Sequence, residues 1–415
     1  MPIKVKVGSK MIKDTFYTLT PVNWVLRIFI LSNVKRKGNI LIQCWSLTEN
    51  LIVCCVTLVI NVFFLVNKIQ TFEGHNGTDL IKFTDTIQLT FLLAYTEYIV
   101  DVINLYKTRH TSLKYLQFYS TVDKILGTPN FSRIRTNNII AIASLITSFM
   151  ASSFIDYFCW FMSYGWIPPT LYSLDYFYLF LNSLTVLDVV SNMVQIEYRL
   201  KVMIHLLEDY YATSTSLTEN EVEGWFFLTP DRKPAGDKFR VDGLRTITHN
   251  KYFEILSLSK YYVLLIEQVA YINKAYGVRL GAFCLNILIY AIYLTNVIIR
   301  ISLDQFVPIY ANNHLPAVSS TIRIINYAAV FFSMLYHCEE TYKQSHGIVR
   351  LIDLIVVNKK IPNDLKIALM ELRNLMLSRP IKFHGANFFT LDYPLLASLA
   401  SVCVTYTIIL LQSIH

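Results

Sequence analysis

Seven stretches of roughly 20 mostly apolar residues run through this chain, and they constrain its fold more than any other feature. A helix rising about 1.5 Å per residue needs that length to cross a hydrocarbon layer roughly 30 Å thick. Backbone N–H and C=O groups find no partner in lipid, so each stretch must satisfy its own hydrogen bonds and reads as a helix. The alternation of a barrel strand is missing. The spans fall at about Leu47 to Asn67, Thr84 to Tyr106, Asn138 to Trp160, Tyr172 to Lys201, Tyr276 to Ile301, Ser320 to Tyr342 and Asp392 to Gln412. The second and fourth are the least apolar. Only 16% of residues are charged, against 54% hydrophobic, which lies outside the soluble range. Scarce glycine and proline count against the broken helices of transporters.

Lys and Arg orient the spans. Eight lie in the basic N-terminal segment, six between Lys107 and Asn138, ten between Arg199 and Tyr276, and eight between Lys343 and Phe389. The loops of the other face hold only Lys68 and Lys82, while Arg279, Arg300 and Arg323 fall within spans. This asymmetry places the N-terminus in the cytoplasm and, with seven spans, the C-terminus outside. G-protein-coupled receptors have the opposite orientation. The first apolar run comes too late and is too long for a cleaved signal peptide. "WVLRIFIL", Trp24 to Leu31, is too short to cross and is expected at the interface. The "NGT" sequon at Asn76 lies on the outer face, where it is open to glycosylation, and "NFS" at Asn130 lies inside.

The chain therefore divides into a cytoplasmic segment (1–46), helices 1 to 4 (47–207), a cytoplasmic loop (208–250), cytoplasmic helices with helices 5 and 6 (251–391), and helix 7 (392–415). Ala212 to Gly243 is polar and turn-rich, and reads as a loop with little structure of its own. The inner side also carries amphipathic helices. "PNDLKIALMELRNLML" puts Leu365, Leu369, Leu372 and Met376 on one face and stops before Pro380. Such faces either pack within the chain or join subunits. The seven cysteines fall mostly in apolar runs and read as small buried hydrophobes, without disulfide or metal spacing.

Enzyme signatures are absent: no Gly-rich phosphate cradle, nucleophile elbow or HExxH. No cofactor and no nucleic-acid partner are expected. "HCEE", His337 to Glu340, reads as interfacial anchoring. Glu97, Asp101 and Asn104 follow at helical spacing on span two, as do Asp188, Asn192 and Gln195 on span four. Ionisable residues inside spans are costly and therefore functional candidates. A structural polar contact is preferred to a proton relay here, because no partnering Lys or Arg is evident at that depth. The outer halves of spans three to six interleave aromatics with polar groups: Phe154, Asp156, Tyr157 and Trp160; Asp175, Tyr176 and Tyr178; Tyr293, Asn296 and Arg300; Arg323, Asn326 and Tyr327. This mixture suits a boundary belt or a pocket for an apolar organic ligand carrying a few polar groups.

The end of the chain, "TYTIILLQS", resembles the signature of insect gustatory receptors: Thr-Tyr, five mostly apolar residues, then Gln-Phe. Thr405, Tyr406 and Gln412 match, and Ser413 stands where the family usually has Phe. "FHGANFFTLDYPLLASLAS" is similar to the family's run into that helix, and "YINKAYG" to its run into the fifth. The resemblance implies a ligand-gated, non-selective cation channel of four subunits in the plasma membrane of gustatory neurons, homo- or heterotetrameric, related to insect olfactory receptors and their co-receptor. It further implies a pore of seventh helices, a cytoplasmic anchor joining subunits, and a small-molecule tastant in an outward pocket, with monovalent and divalent cations passing and membrane lipid around. On a helical wheel Ser398, Ser401, Val402, Thr405, Tyr406, Ile409, Gln412 and Ser413 share one face, which lines the pore or makes a close helix contact. Gln412 with Ile409 is the expected gate, and Ser413 predicts a wider or more polar outer end. Bitter or other plant compounds are the expected ligands, with a fructose-like sugar or a non-channel transporter as alternatives.

Overall fold

Long apolar runs with few helix breakers fold here into long, mostly uninterrupted helices. The computed structural model describes residues 5–6, 15–32, 34–37, 40–43, 47–73, 92–108, 111–112, 114–116, 119, 123, 131–164, 166–216, 247–302, 315–358 and 361–412. Within them lie α1 (Thr15–Ile28), α2 (Leu47–Glu73), α3 (92–108), α4 (Phe131–Tyr164), α5 (Ile167–Ser216), α6 (Ile247–Ser302), α7 (Leu315–Asn358), α8 (Asn363–Ser378) and α9 (Tyr393–Gln412). Five of these helices are long and apolar enough to cross a membrane, and α9 is a shorter apolar helix. The second expected span is described only from residue 92, and Asn76 and Ser413 lie outside the described residues.

The all-helical expectation needs one adjustment. Val5–Lys6 (β1), Val34–Lys37 (β2) and Ile40–Gln43 (β3) form an antiparallel sheet in the order β1-β3-β2, and His384–Gly385 (β4) pairs with Phe389–Thr390 (β5) in a hairpin. Helices also overrun their expected ends. α5 continues to Ser216, into the stretch read as loop, and α6 joins the segment read as a cytoplasmic helix to the expected fifth span without a break. No proline or glycine cluster stops the 3.6-residue repeat at those points.

α5 is the central helix, with most of its membrane-length window buried. One apolar core lies between the first half of α5, α3, α4, the second half of α6 and the first half of α7, including Tyr98, Phe149, Leu184, Leu294 and Tyr327. A second joins the remaining half of each long helix to α8, including Met193, Leu200, Tyr262, Leu335, Ile352 and Leu369. α8 buries Leu365, Leu369, Leu372 and Met376, the apolar face read from its spacing. α1 does not cross. Its Thr15 and Thr18 are tied to the bundle by Arg199, which also pairs with Asp123 at 2.7 Å, by Gln195 and by Asn138. Leu26 of the interfacial stretch is buried, and Trp24 and Ile28 are exposed.

The β4–β5 hairpin connects α8 to α9 and sits on α6. Gly277 and Gly281 make this seat: Ala386 N donates to Gly277 O at 2.6 Å, and a Cβ at Gly281 would stand 3.0 Å from that of Ala386. Ala386 and Asn387 both have positive φ, the left-handed turn that such a tight hairpin needs. Asn273 clamps the strand by donating to Lys382 O and accepting from His384 N, and the Tyr342 hydroxyl accepts from Phe383 N and donates to Leu391 O. Asp392 then caps α9, accepting from Leu395 N at 3.2 Å.

Candidate functional site

Arg323 on α7 enters a space walled by tyrosines, where an unpaired guanidinium would be prohibitively costly. Its Nη1 lies 3.1 Å from Asp156 Oδ2 on α4 and 3.4 Å from the Tyr176 hydroxyl on α5. Tyr176 donates to the same carboxylate oxygen, and Nη2 of Arg323 donates to the Tyr290 hydroxyl on α6; both contacts are short. The guanidinium carbon also stands 4.4 Å from the Tyr176 ring centre and 5.2 Å from that of Tyr290. Four helices are thus tied at one point, with cation–π attraction supplementing the ion pair.

A cavity of about 240 Å³ adjoins this cluster between α4, α5 and α7. Its walls include the hydroxyls of Ser144, Ser148, Ser183 and Ser333, the Asn326 amide, and the apolar Leu145, Phe149, Leu187, Val190 and Val330. Tyr327 forms one wall and packs edge-on to Tyr290 at 5.2 Å. Ser148 Oγ donates to Asn326 Oδ1 at 2.6 Å, bridging α4 to α7. No side chain with a formal charge lines it. An engineered apolar cavity of about 150 Å³ holds benzene, so this one suits a neutral molecule with a single substituted ring.

The residues expected in the pocket therefore separate. Asn326 and Tyr327 line the cavity; Asp156, Tyr176 and Arg323 form the cluster beside it. Tyr293 packs against Tyr290 at 6.1 Å, Asp175 and Trp160 are buried, and Asn296 is half-buried. Tyr178 faces away: its hydroxyl accepts from Asn61 of α2 at 2.7 Å and its ring packs on Tyr95 and Tyr98. Phe154 is 71% exposed, and Tyr157 lies at the surface with its hydroxyl 3.3 Å from Thr170. Sequence reasoning missed the cavity serines and Phe149. The available signal was Ser144 and Ser148, one helical turn apart on one face of a span that also carries Thr147, Ser152 and Ser153.

On α9, Ser398, Ser401, Thr405, Tyr406, Ile409 and Gln412 are exposed and Val402 is half-buried. Leu396, Leu399 and Cys403 are half-buried and Thr407 is buried. Ala397, Ala400, Val404 and Ile408 are exposed too, so α9 holds to the chain by a narrow stripe, chiefly against α6.

One expectation is overturned. Asp101 does have a cationic partner at its depth: Arg279 Nε of α6 lies 2.6 Å from Asp101 Oδ1. The pairing was invisible because the two residues belong to helices remote in sequence. Asp188, on α5, accepts from Tyr276 at 3.1 Å, and Asn192 bonds back to the Asp188 carbonyl. In the "HCEE" stretch, His337 meets Glu197 at 2.9 Å, Glu339 accepts from Tyr393 N at the start of α9, and Glu340 accepts from Gln344.

Residues 19–414 match the sequence profile of the 7tm chemosensory receptor family. No curated protein sequence matches the chain. In structure the chain is similar to the olfactory receptor OR5 of the insect Machilis hrabei, with 12% identity and a TM-score of 0.53 over 95% of this chain and 97% of that one. The same receptor in complex with eugenol is similar at a TM-score of 0.54, with 12% identity and the same coverage. At that identity the likeness concerns the fold.

Proposed function

This chain belongs to the 7tm chemosensory receptor family, part of the insect chemoreceptor superfamily, and from that membership we propose that it is a gustatory receptor: a tastant-gated, non-selective cation channel. The single observation that carries this reading is α9, an apolar helix whose Ser398, Ser401, Thr405, Tyr406 and Gln412 are left uncovered by the rest of the chain. Polar side chains facing lipid are unfavourable, and four copies of this helix around an axis would give them water or one another. The subunits form a homo- or heterotetramer, with the N-terminus inside and the C-terminus outside. Gln412 and Ile409 form the gate, the first as a polar ring and the second as an apolar collar that resists wetting when closed. Ser413 widens the outer end.

The ligand occupies the cavity between α4, α5 and α7. Its uncharged, half-apolar lining supports bitter or other plant compounds of one-ring size. That a structurally similar receptor was determined with eugenol is in keeping with this class. The four serines favour a second reading, a fructose-like sugar. Ligand opens the channel only by binding the open state better than the closed one. A shift of α7 relative to α4 reaches α9 through the hairpin seated on Gly277 and Gly281, and α9 moves outward.

Currents from Gln412→Ala and Ile409→Ala channels test the gate. Altered rectification, ion preference or resting current is expected. Unchanged gating and ion preference in both would remove α9 from the pore.

A further inference from the structure

Glu97 of α3 is 1% exposed and carries its hydrogen bonds on one oxygen. Asn182 Nδ2 of α5 donates to Oε2 at 2.8 Å, and Asn286 Nδ2 of α6 donates to the same atom in a shorter bond. The other oxygen, Oε1, has no hydrogen-bond partner among the described residues. Neither does Oδ1 of Asn182, a residue 2% exposed. Both residues line a second, far smaller cavity of about 10 Å³, together with Ser183, Tyr290 and Tyr327. A volume near one probe sphere admits a water molecule or an ion of similar size, and no organic ligand.

Charge around this cavity does not balance. Glu97, Asp101 and Asp188 converge from α3 and α5, and Arg279 of α6 is the one guanidinium interacting with all three. It lies against Asp101, and its ring contact is with Tyr276. Tyr276, which donates to Asp188, and the Cys284 thiol face the network from α6. Arg323 of α7 is engaged by Asp156 and Tyr290. Among the described residues no cation stands within ion-pairing distance of Glu97. An uncompensated carboxylate in a membrane interior is strongly unfavourable, and neutralising it needs one positive charge at the oxygen that has no donor.

We propose that Glu97 Oε1 and Asn182 Oδ1 form a buried site for one small monovalent cation, a proton or a sodium ion. Either species brings one positive charge to Oε1. A proton converts Oε1 from acceptor to donor, and a sodium ion takes lone pairs from both oxygens. Ser183 and Tyr327 wall both this site and the 240 Å³ cavity, so the ion is positioned to modulate the ligand site.

Thermal unfolding of the purified full-length chain, in sodium, potassium or choline chloride at constant ionic strength, separates the two sources. A species that binds only the folded state raises the midpoint. For sodium, the midpoint rises by a few degrees over potassium and choline, and Glu97→Gln, a neutral isostere, loses the rise. For a proton, the salts are equivalent, the wild-type midpoint in choline falls as pH rises, and Glu97→Gln loses that component. Identical salt and pH profiles for wild type and Glu97→Gln would overturn the proposal. Should Glu97→Gln fail to accumulate, Asn182→Ala removes the Oδ1 oxygen together with the Nδ2 donor to Oε2 and keeps the carboxyl. A severalfold shift in half-saturating sodium or in proton concentration is then expected, and no shift in either counts against the site.

Discussion

Arg323 is held by a carboxylate and two phenols drawn from three other helices, so its loss leaves Asp156 buried without its counter-charge. Removing one partner of a buried ion pair costs about 3–5 kcal/mol, whereas replacing both with apolar residues can be nearly neutral. Arg323→Leu is therefore expected to lower the thermal midpoint of the purified protein markedly, and Arg323→Leu with Asp156→Leu to recover much of the loss. Recovery absent in the double variant would argue that the pair contributes no coupling. Asn326→Ala makes a different prediction, since it removes a cavity-wall amide that makes two hydrogen bonds to Ser148. It should weaken ligand response about tenfold, roughly 1–1.5 kcal/mol, with stability little changed, as concentration–response curves beside unfolding curves would read. Individual polar residues of this site were visible in the sequence, because charges and amides inside apolar spans stand out. Which of them meet was not. Arg279 lies far along the chain from Asp101, and Tyr178 points away from Tyr176, two residues earlier on the same helix.

At the level of elements, the hairpin between α8 and α9 is the joint through which α9 is held. It approaches α6 so closely that a Cβ at Gly277 would stand 3.3 Å from His384 O and one at Gly281 3.0 Å from Ala386 Cβ. Gly281→Val sets branched carbons against Ala386, whose methyl would lie only 3.0 Å from the new Cβ, and overpacking of this kind costs about 1–3 kcal/mol. The expected outcome is protein that still reaches the cell surface but responds weakly or not at all to ligand. A normal current–concentration curve would show that the seat does not transmit motion. Leu369→Ala on α8 probes the second apolar core instead, where truncation of a fully buried leucine costs about 2–5 kcal/mol. Size-exclusion of detergent-solubilised protein should then show loss of folded material. Helical periodicity announced α8 and its buried face residue by residue. It could not announce where α5 and α6 end, because neither lipid boundary nor loop interrupts their repeat. The small strands were hidden for the opposite reason: pairings of two to four residues carry too little pattern to read.

For the whole molecule, the apolar runs and the distribution of Lys and Arg specify a multi-pass helical membrane protein, and the family match and structural likeness agree with that architecture. The chain leaves the polar stripe of α9 uncovered and the cavity between α4, α5 and α7 uncharged, and the channel reading joins these two features through the hairpin. A transporter would move its ligand across the membrane; a receptor acting through a cytoplasmic partner would be electrically silent alone. The decisive measurement is cation flux through the purified chain reconstituted into liposomes and challenged with a panel of neutral one-ring plant compounds and sugars. If the account is right, at least one compound opens a saturable flux of both sodium and potassium, and Gln412→Ala changes its ion preference or gating. Correctly folded, ligand-binding protein that passes no cations in the absence of a cellular partner would contradict it.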